Sequence, residues 1–94
     1  MFIKLTAGAA TLEDADNFRA FNVKTDLNTS ERQAALKGVG RLDGGHVWVD
    51  PAWLRAHGRP GDAEWLSGLA KMLDYAKSAG WVDEAGGIRA HIEN

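Results

Sequence analysis

Residues 62–82, DAEWLSGLAKMLDYAKSAGWV, form the longest helix-periodic run in the chain, and any fold must find cover for it. Asp62, after Pro60 and Gly61, offers a carboxylate to the free N–H groups of a first helical turn and a charge that suits the helix dipole. Gly80 is suited to the left-handed conformation that closes a helix, with Trp81 placed to fold back on Tyr75 or Ala76. The run therefore predicts a helix over residues 63–79.

Its faces are unequal. Glu64, Ser67, Lys71, Asp74 and Ser78 share a narrow polar strip, and Leu66, Leu69, Ala70, Leu73 and Ala76 have the spacing of a core stripe. Trp65, Gly68, Met72, Tyr75 and Ala79 extend the apolar arc to roughly 220°, where a surface helix needs only about 100°. A second apolar side needs either more of the same chain or a partner. Tryptophan, tyrosine and methionine beside small residues match the composition of interface cores, so Trp65, Met72 and Tyr75 are the candidate interface residues, with a symmetric homodimer as the expected assembly.

The flanking sequence supplies strands and two short helices. Residues 2–6 alternate as a first strand, and Ile88, Ala90 and Ile92 alternate with Arg89, His91 and Glu93 in a last one. Thr11 and Asp14 have the spacing of a helix start, which predicts one or two helical turns near 12–17 and then a strand over about 18–25. Asn28 and Glu31 have reciprocal capping spacing before a helix over about 30–37 that Gly38 ends. Asp43-Gly44-Gly45 between two extended segments reads as a hairpin. Asp50 and Pro51 then open a further short helix, stopped at Gly58. The sum is a single α+β domain over residues 1–94: a mostly antiparallel sheet of four to six short strands packed against one long helix, with two short helices beside it.

Composition narrows function mainly by exclusion. A net charge of −2 and a pI near 5.8 give no general attraction to nucleic acid or anionic membranes. Without cysteine there is no disulfide framework, thiolate metal site or cysteine nucleophile. No basic leader with a long apolar run opens the sequence and no run has the length of a membrane span, so a cytoplasmic protein with no membrane contact is expected. His46, His57 and His91 lack the paired spacings of a metal site, and the carboxylates fall at helix starts and turns, so no catalytic residue, metal or cofactor is assigned.

One local constellation remains. His46, Trp48, Trp53, Arg55, His57 and Arg59 lie close in sequence around the hairpin and the second helix, and such residues serve an anionic or aromatic partner. The leading expectation is a small non-enzymatic interaction domain that self-associates through the second side of the long helix, with a protein partner also compatible. A small-molecule site or modest enzyme using His46, Trp48, Arg55 and His57 is the alternative. A long helix followed by a glycine-turned hairpin also has the order of a winged-helix nucleic-acid binder, but Lys71 and Lys77 are offset by Glu64 and Asp74, which disfavours it.

Overall fold

The computed structural model describes residues 1–93. Among them the elements run β1 (Phe2–Thr6), β2 (Ala9–Glu13), β3 (Asn22–Lys24), α1 (Thr29–Ala35), β4 (Gly40–Asp43), β5 (His46–Val49), α2 (Pro51–His57), α3 (Ala63–Ser78) and β6 (Ile88–Glu93). The strands make one sheet in the order β2-β1-β3-β6-β5-β4. This is the α+β domain expected from the sequence, and its six-stranded sheet is mostly antiparallel. Three of the five pairings are antiparallel, but β1 with β3 and β3 with β6 are parallel, so the sheet is mixed.

The helix ends form as their residues dictate. The Asp62 carboxylate accepts from the Trp65 N–H at 3.1 Å, the Asp50 carboxylate from the Ala52 N–H at 2.9 Å, and Asn28 and Glu31 cap each other. At the far end of α3, Gly80 takes φ +80°, its N–H reaches the Lys77 carbonyl, and the Trp81 N–H reaches the Ala76 carbonyl. That is a Schellman closure, and it lays the Trp81 ring edge-on against Tyr75 at 5.8 Å.

Residues 9–17 depart from expectation. The residues at 12–17 do not form a helix; the chain turns at Gly8, where φ is +72°, and returns as β2, antiparallel to β1. Alternation decides the matter: Ala10 and Leu12 face the core beside Leu5 and Ile3, and sheet pairing outweighs the local capping pattern of Thr11 and Asp14. The expected strand over 18–25 is also cut down to the three residues of β3.

Ile3, Leu5, Val23, Val47, Val49, Ile88, Ala90 and Ile92 occupy one face of the sheet, and the helices cover it with Ala35, Trp53, Leu54, Trp65, Leu69 and Ala76. The sheet is curled, so that α1 touches both β1 and β4 although they lie far apart in strand order, and α2 touches β2. On α3 the buried line is Trp65, Leu69 and Ala76, whereas Ala70 is exposed and Leu66 and Leu73 are half-buried flanks. The core face is thus turned by roughly 60° from the leucine stripe, toward the side carrying Trp65 and Met72. Two glycines make this possible. A Cβ at Gly58 would lie 2.1 Å from the Trp65 ring, and one at Gly68 would lie 2.5 Å from the Phe18 ring. The hairpin expected after α3 is reduced to a single Val82–Ile88 bridge, and β6 instead becomes an interior strand. Among the described residues no helix is long and apolar enough to cross a membrane.

Candidate functional site

The constellation read from residues 46–59 does not come together. Along β5, Val47 and Val49 point into the core, so His46 and Trp48 stand on the opposite, outer face of the sheet. Trp53 is a core residue, its outer side stacked by His57 at 4.5 Å with 15° between the rings. His57 Nδ1 lies 3.0 Å from the Trp53 carbonyl, which accepts only, so Nδ1 carries the proton. Arg59 pairs with Asp16 at 2.7 Å across an exposed surface, and Arg55 is exposed on α2. The Trp48 indole donates to the Asp43 carboxylate at 3.0 Å across the hairpin. Chain proximity did not become spatial proximity, because strand alternation and the sheet itself lie between the two tryptophans.

The interface set is divided too. Trp65 is only 3% exposed, and its indole N–H donates to the Ala15 carbonyl at 2.8 Å, so its own chain covers it and it has no face to offer a partner. Met72 is half-buried and Tyr75 is 66% exposed. Trp81, which the sequence pattern treats only as a capping residue, is 40% exposed beside Tyr75.

A different site forms where β3 parts from β6. The pairing of β3 with β6 starts at Asn22 and His91, yet β6 begins three residues earlier, at Ile88, and is paired with β5 from Ile88 to His91. Residues 18–21 therefore run clear of the first part of β6. The Met1 ammonium anchors this segment through the carbonyls of Asn17 and Ala20, and Phe18 packs against Trp65 at 6.2 Å between ring centroids. Burial lowers the pKa of that ammonium, opposed by Asp14 and reinforced by Lys24. On the other side the Arg89 N–H donates to the Trp81 carbonyl at 2.9 Å, which fixes Trp81 next to β6.

The turn between them, residues 82–87, is held by Asp83. Its carboxylate accepts from the Gly87 N–H at 2.6 Å, the Ala85 N–H at 3.1 Å and the Arg41 guanidinium at 3.2 Å. The Gly87 bond is the main reason its pKa lies below the usual carboxylate value; desolvation opposes the shift and Arg41 adds to it.

Between these two anchored segments lies a slot of about 350 Å³. Phe18, Phe21, Met72, Tyr75, Trp81 and Ile88 give it apolar walls. Arg19, Arg89, His46 and His91 line it as well, and among the described residues no carboxylate does. The two histidines are register partners on β5 and β6, with ring centroids 5.8 Å apart in an edge-on arrangement. Beside them Asn22, the register partner of His91, has a buried Oδ1 with no hydrogen-bond partner among the described residues. Among the described residues no three His, Asp or Glu side chains are grouped to hold a metal.

Of the sequence-derived candidates, the slot thus collects His46, Met72 and Tyr75 and leaves out Trp48, Trp53, Arg55, His57, Arg59 and Trp65. It adds Arg19, Phe21, Trp81, Arg89 and His91, drawn from three separate parts of the chain. The only local signal was the alternation of β6, which puts Arg89 and His91 on one outer face. No family model matches the chain, and no curated protein or solved structure resembles it closely enough to bring a function with it.

Proposed function

We propose that this is a non-enzymatic binding domain whose slot between residues 18–21 and β6 takes a flat, largely apolar small molecule. The observation that carries the reading is the slot itself: about 350 Å³, near the lower end of the roughly 300–1,000 Å³ of small-molecule sites, with aromatic walls and a few convergent polar groups. Binding rather than catalysis is favoured because, among the described residues, neither of the two imidazoles in the slot is hydrogen-bonded to a group that would orient it as a general base.

Ala20 is exposed and lines the slot, so Ala20→Trp fills it from the surface without entering the core. A thermal-shift panel of flat aromatic compounds tests the reading, because a ligand that binds only the folded state raises the melting temperature. Shifts in the parent protein that vanish in Ala20→Trp are the expected result. A panel without shifts, or shifts that survive the substitution, would overturn it.

Self-association is a second reading, carried by Tyr75 and Trp81, the two large apolar side chains left exposed among the described residues. Both line the same slot, as does the half-buried Met72. Light scattering after size exclusion, over a concentration series, separates the two readings. A dimer that Tyr75→Glu converts to monomer supports the second, and a monomer at all concentrations removes it.

A further inference from the structure

We infer that the ligand of this slot carries an oxyanion, a carboxylate or phosphate, held by Arg89 and Arg19. The inference rests on the slot being a ligand site and adds the chemical class of the ligand. Its first support is an imbalance of charge. The chain as a whole has more acidic than basic residues, 13 against 11, yet among the described residues the slot is lined by two arginines and two histidines and by no carboxylate.

The second support is what these guanidiniums leave unmade. Arg41 is paired with Asp83 and Arg59 with Asp16. Among the described residues the side chains of Arg19 and Arg89 have neither an ion pair nor a hydrogen bond. A guanidinium presents a planar fork of N–H donors that matches a carboxylate or phosphate in two-point contact. Arg89 reaches the slot because it alternates outward along β6, two residues from His91, while Ile88 and Ala90 turn into the core.

The paired imidazoles invite a different occupant, a transition metal ion, and the same surroundings argue against it. Two histidines are two ligands where zinc takes four, no third His, Asp or Glu is grouped with them among the described residues, and two unpaired guanidiniums along the slot repel a dication. An anion gains from every one of these groups, since an imidazole N–H donates to it as well. The apolar walls provided by Phe21, Met72, Tyr75 and Trp81 then take the body of the ligand, and the guanidiniums take its charge.

Calorimetric titration with 2-naphthoate, 2-naphthyl phosphate and the neutral 2-naphthamide tests this, each against the parent protein, Arg89→Gln and Ala20→Trp. The expected result is that at least one anion binds about tenfold or more tighter than the amide, as a charge-assisted contact requires. Arg89→Gln should bring anion and amide close together, and raising the salt should weaken only the anions. Naphthoate over naphthyl phosphate would identify a carboxylate, and the reverse a phosphate; both support the inference. Equal binding of amide and anions, abolished by Ala20→Trp, would overturn the oxyanion and leave the slot as a ligand site. Binding unchanged in Ala20→Trp, or no binding of any probe, would overturn both. Arg89 is exposed, so an unchanged melting temperature of Arg89→Gln confirms that the fold is not the cause.

Discussion

The two halves of α3 use the same kind of side chains for opposite ends. In the N-terminal half, Trp65 lies against Gly58, its indole is tied to the Ala15 carbonyl, and the neighbouring Gly68 lets Phe18 come close. In the C-terminal half, Met72 and Tyr75 meet an open slot, and Trp81 leans on Tyr75 from beyond the helix cap. The sequence of α3 has an aromatic residue in each half, and the difference lies in what the rest of the chain sets against it. Residues 15–18 fold down on the first aromatic, whereas the parting of β3 from β6 leaves the second uncovered.

The contrast can be broken most forcefully at Trp65. Trp65→Ala should cost about 3–5 kcal/mol, since it removes a buried aromatic and the partner of the Ala15 carbonyl. In a domain of this size that corresponds to a fall in melting temperature of about 4–8 °C per kcal/mol, measurable by circular dichroism. Next comes Gly58→Ala, where the new methyl meets a tryptophan ring that is itself packed in place; about 1–3 kcal/mol of overpacking is expected from denaturant titration. Making Trp65→Leu first should shrink that penalty, and a penalty that stays the same would place the strain elsewhere. The smallest effect belongs to Tyr75→Ala. The lost edge contact with Trp81 is offset by the better helix propensity of alanine, and stability should stay within about 0.5 kcal/mol of the parent. A large loss at Tyr75 would mean that the open half of α3 is a structural half after all.

What could be read from the sequence follows how local each signal is. The caps at Asn28, Asp50 and Asp62, the Gly80 closure, the Asp43-Gly44-Gly45 hairpin and the alternation of β6 each depend on residues within a few positions of one another, and all formed. Thr11 and Asp14 misled because a capping pattern is also local, and sheet pairing with β1 overrode it. The buried side of α3 was set by where the curled sheet and Phe18 lie, which the helix's own periodicity does not contain. The slot was the least legible. His46 and His91 meet through strand register across 45 positions (91 − 46), and the slot exists because β3 stops pairing at Asn22.

The place of β6 in the sheet has a consequence for the order in which the molecule assembles. It is the last of the described strands and lies between β3 and β5, so without residues 88–93 the sheet is two separate ladders, β2-β1-β3 and β5-β4. The β3–β6 pairing joins Val23 to Ile92, across most of the chain, and contacts of such long sequence separation slow folding because the entropy of closing the loop comes before their reward. The hairpins and the capped helices can form early, each from neighbouring residues. Docking of this six-residue segment is therefore expected to be the slow step, with the slot completed only then; a φ-value near zero for Ile92→Val, from folding and unfolding rates, would agree with that order, and a value near one would reverse it.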